Sequence, residues 1–238
     1  MKALLASAAF AAIAFAAPAS AQAVWTQMPV TDPGSAVSSQ DFEAGNNQYD
    51  SIVIDDFTLT SKTNLTSLDA LIQSYNSSSN NVGNISNFTV NIYSSVAKAA
   101  SGLAGDVFSA TVPNSGVTIS DPFGSWSQMV HVPFAATLAA GTYYVGLINQ
   151  LDYGSYGQMG VETWGSGNGY LINPGAGFGS TSMTLSSIYA GGNAAYRLNG
   201  AAATAAVPEL GTWVMMVVGV GVLGSMMRTR RRKALATA

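Results

Sequence analysis

The sequence predicts an all-β domain, a β-sandwich or jelly roll, over residues 24–200. Three observations predict this class. Gly, Ser, Asn and Thr abound in this stretch, hydrophobic runs are short, and turn-forming residues recur about every ten residues. The whole chain of 238 residues has room for one such domain together with accessory segments at its two ends.

Alternation of apolar and polar residues predicts the individual strands. Residues 88–92 and 130–134 each alternate as a half-buried strand does, and Pro133 restricts the second of them to a sheet edge or a bulge. Residues 141–148 are apolar on both faces, which favours a central strand. Tyr196 and Leu198 predict a last strand before the C-terminal segments.

The acidic pair Asp55–Asp56 interrupts the pattern of another strand. Ile54 and Phe57 share one face of this strand only if an extra residue is inserted at the pair, which predicts a β-bulge there. Carboxylates and freed backbone carbonyls at a bulge are the hard oxygen ligands that calcium prefers. Asp55 and Asp56 are therefore candidate calcium ligands, with a purely structural role as the alternative, and no other cofactor is expected.

Two segments near the middle of the domain have less regular patterns. Residues 65–75 fit either a short helix or a strand, and the poverty of helix formers around them favours the strand. Residues 75–87 are nearly all Ser and Asn, which predicts a long exposed hairpin loop.

The domain is acidic and the chain has no cysteine. Between residues 24 and 200 the only basic residues are Lys62, Lys98 and Arg197, against eleven acidic ones, which leaves a net charge of −8. Such a surface repels phosphates, so nucleic acid is not an expected partner. The absence of cysteine excludes disulfides and thiolate metal sites.

Residues 1–23 have the order of features found in a secretory signal peptide. Lys2 supplies the positive start, residues 4–17 form an apolar run, and residues 19–21 (Ala-Ser-Ala) form a small-residue cleavage site. Residues 21–23 offer a second cut. The sequence therefore predicts export.

A second apolar stretch, near the C-terminal end, predicts a transmembrane helix. Residues 210–227 are eighteen residues without a charge, which as a helix span about 27 Å, near the thickness of a bilayer core. Residues 201–206 form a small-residue linker before it. By the positive-inside rule the basic cluster after the span stays in the cytoplasm, so the domain lies outside. This cluster consists of Arg228, Arg230, Arg231, Arg232 and Lys233.

The order of motif, apolar span and basic cluster over residues 207–233 is a recognisable pattern. The motif contains Val207, Pro208, Glu209 and, at the outer membrane interface, Trp213. Together these features resemble the PEP-CTERM sorting signal of Gram-negative bacteria.

The resemblance implies recognition by an exosortase, a membrane enzyme that cuts near the Pro-Glu motif and passes the protein to the cell surface. Proteins of this kind often accompany exopolysaccharide and biofilm production. The chain departs from the pattern at Leu210, where the family usually has a second proline, and at Val214, where its closest subgroup has alanine. An uncut membrane anchor is the alternative role for this tail.

The chemistry-bearing residues do not form a hydrolase motif. The single histidine, His131, is accompanied neither by a Gly-x-Ser-x-Gly elbow nor by a His-Glu-x-x-His zinc motif, and we interpret it as a surface or edge-strand residue. A carboxylate pair such as Asp152 with Glu162 leaves a secreted glycan-active enzyme as the alternative class. We expect no enzymatic activity.

Residues 154–179 and their flanks hold the densest mixture of aromatic residues and glycines. Aromatic faces on glycine-rich loops commonly stack against sugar rings, with amide side chains supplying hydrogen bonds. The alternative is that these rings fill the core. We therefore predict a structural or adhesive matrix protein with weak glycan binding. The candidate glycan contacts are Trp164, Tyr156, Tyr170 and Asn168, and Tyr153, Phe178, Gln158 and Asn173 belong to the same mixture.

Overall fold

The computed structural model describes residues 22–76, 81–124, 126–188, 191–203, 214–215 and 217–221. The chain divides into two compact units, residues 1–202 and 203–238. In the second unit the residues described at 214–215 and 217–221 are helical. Across the described ranges, no helix has the length and apolar character that crossing a membrane requires. The predicted signal peptide up to residue 21, the sorting motif with Trp213, and the basic cluster lie outside the described residues.

Among the described residues of the first unit, β-strands are the main regular structure, which confirms the all-β prediction. Three short helices, α1 (Val96–Ala100), α2 (Tyr153–Tyr156) and α3 (Leu185–Ile188), and 3-10 turns at Ala44–Tyr49, Val82–Asn84 and Asn114–Gly116 connect them. The strands are β1 (Gln22–Thr26), β2 (Ala36–Ser38), β3 (Gln40–Asp41), β4 (Ile52–Leu59), β5 (Thr63–Tyr75), β6 (Asn87–Tyr93), β7 (Phe108–Pro113), β8 (Thr118–Ser120), β9 (Ser127–Leu138), β10 (Gly141–Gln150), β11 (Gln158–Trp164), β12 (Tyr170–Ile172), β13 (Ser182–Thr184), β14 (Asn193–Ala194) and β15 (Tyr196–Ala202).

These strands form two sheets. The first has eight strands in the order β1-β15-β5-β11-β14, with β2 paired to β11, β9 to β5 and β8 to β9. The second has seven strands in the order β13-β12-β4-β10-β6-β7, with β3 paired to β10. Every pairing is antiparallel except that of β3 with β10. The predicted central strand at 141–148 is confirmed, since β10 lies between β4 and β6.

Strand β4 shows why the predicted bulge is wrong. Its register with β10 runs without a shift through the acidic pair. Val53 and Phe57 belong to the main core between the sheets, whereas Ile52 and Ile54 belong to a second apolar cluster that includes residues of α1. Because both faces of the strand are covered, its apolar residues need not share one face. Asp55 thus takes an inward position in a regular strand.

The two irregular segments have different outcomes. Residues 65–75 lie in β5, so the strand interpretation is confirmed. Residues 75–87 do not form a hairpin loop, because they connect β5 in the first sheet to β6 in the second. Nor is the described part of this segment fully exposed, since Val82 and Ile85 are only 3% and 2% exposed.

The predictions for Pro133 and for the linker at 201–206 have opposite outcomes. The ladder between β5 and β9 shifts register between Leu65 and Ser67, where Pro133 is the partner of Ser67, so the bulge alternative for Pro133 is confirmed. The linker predicted at 201–206 begins too early, because β15 continues through Ala202 and pairs there with β5.

Tyr196 joins the two sheets through the core. Its side chain starts from β15 in the first sheet and is completely buried. Its hydroxyl donates to the carbonyl oxygen of Val53 at 2.8 Å and accepts from the backbone N–H of Leu147 at 3.1 Å. The predicted last strand is confirmed, and its first residue satisfies backbone groups of β4 and β10.

Candidate functional site

Four aromatic rings form a row where β3 and β10 end and β11 begins. The ring centroids of Tyr153 and Phe42 are 6.0 Å apart, those of Phe42 and Tyr49 are 6.5 Å apart, and those of Tyr49 and Phe178 are 5.4 Å apart. These spacings lie in the range at which aromatic rings attract one another. We call these four residues the aromatic row.

Hydrogen bonds from the backbone fix one half of the row. Phe42 follows β3, and its N–H donates to Asp50 Oδ1 at 2.8 Å. Tyr153 begins α2, and its N–H donates to Glu43 Oε2 at 2.8 Å. The two carboxylates that accept these hydrogen bonds, Glu43 and Asp50, thus flank the 3-10 turn that carries Tyr49.

Asn173 fixes the other half of the row. Its amide donates to the carbonyl oxygens of Gln48 and Asp50, both at 2.8 Å, and its Oδ1 accepts from the N–H of Phe178 at 2.9 Å. A Cβ at Gly177 would lie 2.5 Å from the Gln48 oxygen, so this close approach of two loops requires glycine. Asn173 is itself fully buried and holds the loops together rather than facing a ligand.

The aromatic row lies among three adjoining cavities. The central cavity has a volume of about 330 Å³ and is lined by all four rings together with Asn46 and Gln158. A first cavity of about 330 Å³ shares Phe42 with it. A third cavity of about 500 Å³ shares Gln158 and Phe178 with it. We call the three together the groove.

Carboxylates surround the first cavity. Asp41, Glu43 and Asp152 line it. Burial raises the pKa of Asp41, whereas the hydrogen bond from the Tyr153 N–H lowers the pKa of Glu43. Burial, together with the charges of Asp41 and Glu43, also raises the pKa of Asp50. The lowered pKa keeps Glu43 ionised, so this end of the groove is negative at neutral pH.

The four residues predicted to bind glycans do not come together. Tyr156 lines the first cavity. Trp164 lies at the far end of β11, six residues or ~20 Å along the strand, and its indole N–H donates to the Gln27 oxygen at 2.6 Å. Asn168 is exposed in the loop after β11, and Tyr170 packs its ring against that of Tyr144. Trp164 is thus half-buried and lies away from the groove that Tyr156 lines.

The predicted calcium pair does not converge either. Asp55 is completely buried, and its two oxygens accept from the N–H groups of Ala194 at 2.7 Å and Asp56 at 2.9 Å. Burial raises the pKa of Asp55 to about 7. Asp56, the next residue of a regular strand, points to the opposite face. Among the described residues no group of three or more His, Asp or Glu side chains is placed to hold a metal.

The alternative catalytic pair is also separated. Asp152 caps α2 by accepting from the Ser155 N–H at 2.7 Å, at the mouth of the groove. Glu162 is fully buried in β11, where its carboxyl contacts the hydroxyl of Ser127, and that hydroxyl also lies 2.7 Å from Asp32 Oδ1. Burial raises the pKa of Glu162 to about 7.

His131 belongs to an ion-pair cluster on the outer side of the first sheet. Its Nδ1 lies 2.5 Å from Asp69 Oδ1, and Arg197 Nε donates to Asp69 Oδ2 at 2.7 Å. Burial opposes ionisation of Asp69, but hydrogen bonds from Asn199, Arg197 and His131 outweigh it and lower its pKa. The His131 side chain is 46% exposed, as predicted for a surface residue, although β9 is paired on both sides there.

Phe42 and Tyr49 are the site residues that the sequence did not indicate. Glu43 and Tyr153, which touch across the site, are 110 residues apart in the chain, and no local pattern predicts that contact. Comparison with protein-family models, curated proteins and solved structures finds no match to this chain. The site is therefore defined by its geometry alone.

Proposed function

We propose that this chain is an exported protein of the cell surface or extracellular matrix, and that its domain is a β-sandwich that binds glycans without acting on them. The observation that carries the proposal is the aromatic row, whose rings line a concave cavity with the amides of Asn46 and Gln158. Sugar rings present apolar faces to aromatic side chains and hydroxyls to amides, which is the chemistry that this cavity supplies.

The two ends of the sequence support a route to the surface. The N-terminal segment has the features of a signal peptide, and residues 207–233 resemble a PEP-CTERM sorting signal. We propose an inner-membrane precursor with a transmembrane helix at 210–227, processed by an exosortase and then released to the surface. We propose exopolysaccharide as the glycan, because proteins with such a sorting signal often accompany its production.

Affinity electrophoresis tests the glycan-binding proposal. The purified full-length chain should be retarded in a native gel that contains exopolysaccharide from the producing cells. The exchange Tyr153→Ala should weaken the retardation about tenfold, because Tyr153 is 43% exposed at the edge of the central cavity and supplies an aromatic face.

The exchange Tyr143→Ala is the matched control. Tyr143 is a half-buried tyrosine seven residues before Gln150 on β10, ~23 Å from the first cavity along that strand, so its loss should leave retardation unchanged. Equal retardation of wild type and Tyr153→Ala would show that the aromatic row does not bind the polymer. Release of reducing ends from the polymer would instead favour the rival class, a glycan-active enzyme.

A further inference from the structure

The groove has the extent to hold a chain rather than a single sugar. The three cavities adjoin through shared walls, with Phe42 between the first and the central one and Phe178 and Gln158 between the central one and the third. A ligand that fills all of them passes along the aromatic row from Tyr153 to Phe178. Adjoining subsites of this kind bind a linear polymer more tightly than its short fragments, because each added unit gains contacts at little further entropic cost.

The charge of the groove is one-sided. Asp41, Glu43 and Asp152 line the first cavity, and the described lining of all three cavities contains no Lys or Arg. In the described part of the chain, Asp69 makes both ion pairs, one with His131 and one with Arg197. Arg197 is therefore already paired. Among the described residues, no cation therefore pairs with the carboxylates of the first cavity.

From the aromatic walls and this charge, we propose that the groove binds a linear polysaccharide whose sugars carry free ammonium groups, that is, a polymer of unacetylated amino sugars. An ammonium group in the first cavity lies within reach of carboxylates and of the face of Tyr156, since an aromatic face attracts cations. The remaining cavities offer aromatic faces and the amides of Asn46, Gln158 and Asn76 to the uncharged parts of the chain. This inference rests on the proposed glycan binding and names its ligand class.

Isothermal titration of the full-length chain in detergent tests the inference with defined probes. These are a hexamer of β-linked glucosamine, its fully N-acetylated counterpart, a hexamer of galacturonate and a lysine hexapeptide. We expect the glucosamine hexamer to bind about fivefold more tightly than the acetylated hexamer, and the galacturonate hexamer not to bind. The glucosamine dimer should bind more weakly than the hexamer. The advantage of the charged hexamer should disappear in ~1 M salt.

Variants that lack carboxylate charges test whether the preference for glucosamine arises in the first cavity. The double exchange Asp41→Asn with Glu43→Gln keeps hydrogen-bond acceptors for Gln150 and for the Tyr153 N–H, and removes two of the three carboxylates that line the first cavity. It should therefore reduce the preference for glucosamine over the acetylated hexamer. Asp106→Asn is the control, because Asp106 binds Ser94 at the opposite end of β6. This exchange removes one charge far from the groove and should leave the preference intact.

Three outcomes would overturn the inference. Equal affinity for the charged and acetylated hexamers would show that the carboxylates do not select the ligand, while the proposed glycan binding would stand. A lysine hexapeptide that binds as tightly as the glucosamine hexamer, and competes with it, would identify a basic peptide as the ligand class. Failure of every sugar to bind, in a folded protein, would refute the proposed function itself.

Discussion

Glu162 and Asp55 are the two fully buried carboxyls that have no cation beside them among the described residues. The hydroxyl of Ser127 lies between Glu162 and Asp32 and has a single hydrogen. When that hydrogen is donated to Asp32, Glu162 must be protonated to donate in turn. The pKa of about 7 to which burial raises Glu162 is consistent with this arrangement.

This protonation makes stability depend on pH. Because the pKa of Glu162 is raised on folding, the folded state holds a proton that the unfolded state has lost between about pH 4.5 and 7. The contribution of Glu162 to the free energy of unfolding should therefore be full below this window and should fall as pH rises through it. Asp55, whose pKa burial also raises to about 7, should act in the same direction.

The exchange Glu162→Gln isolates the contribution of one carboxyl. The variant should be more stable than wild type at pH 8, by on the order of 3 kcal/mol, since a neutral amide has no ionisation to lose. Below pH 4 the two proteins should unfold alike, which provides the internal control. Urea unfolding at both pH values measures the effect, and a variant that is no more stable than wild type at pH 8 would contradict the protonated state.

Tyr196 allows a second test at a single residue. Removing its hydroxyl in Tyr196→Phe leaves the Val53 oxygen and the Leu147 N–H without this buried partner, so the free energy of unfolding should fall by about 1–3 kcal/mol. In Tyr143→Phe, the lost hydroxyl donates only to the exposed Ala139 oxygen at 3.3 Å, and the change should stay within about 0.5 kcal/mol. Similar unfolding midpoints for both variants would show that Tyr196 does not tie the sheets together.

At the scale of elements, two kinds of strand could be predicted from the sequence. These are strands with one apolar and one polar face, and strands with two apolar faces. The strand at 88–92, the central β10 and the irregularity at Pro133 follow from alternation and from proline's missing N–H. Strand β4 was misread because Ile54 and Phe57 were expected to share one face, whereas apolar clusters cover both faces of the strand. The buried Asp55 is instead accommodated by the N–H of Ala194, a partner 139 residues away. No local pattern contains that information.

Close packing between β4 and β10 leads to a prediction about these elements. A Cβ at Gly146 in β10 would lie 2.5 Å from the Val53 oxygen and 2.7 Å from the Ile52 side chain. Gly146→Ala should therefore destabilise the domain by about 1–3 kcal/mol in urea unfolding. Gly83→Ala is the control, because a Cβ there meets nothing within 4 Å. Unfolding midpoints that match for the two variants would contradict the close fit of these strands.

At the scale of the whole molecule, the all-β class could be predicted from composition, and the groove could not. Tyr153 and Phe178 lie in the aromatic, glycine-rich segment that the sequence singled out. Phe42 and Tyr49 lie far from it in the chain and join it only through contacts such as that of Glu43 with Tyr153. Trp164, the largest aromatic residue of the segment, lies at the end of β11 that is farther from the groove.

The proposed glycan binding serves a matrix role only if the domain is carried outside the cell. The net charge of −8 over residues 24–200 suits a soluble surface domain, and the sequence at both ends predicts the route. Mass spectrometry of both termini of the protein, isolated from fractionated cells, tests this most directly. We predict a surface or extracellular protein that begins near Gln22 or Val24 and ends near Pro208. A cytosolic chain with both Met1 and Ala238 intact would contradict it.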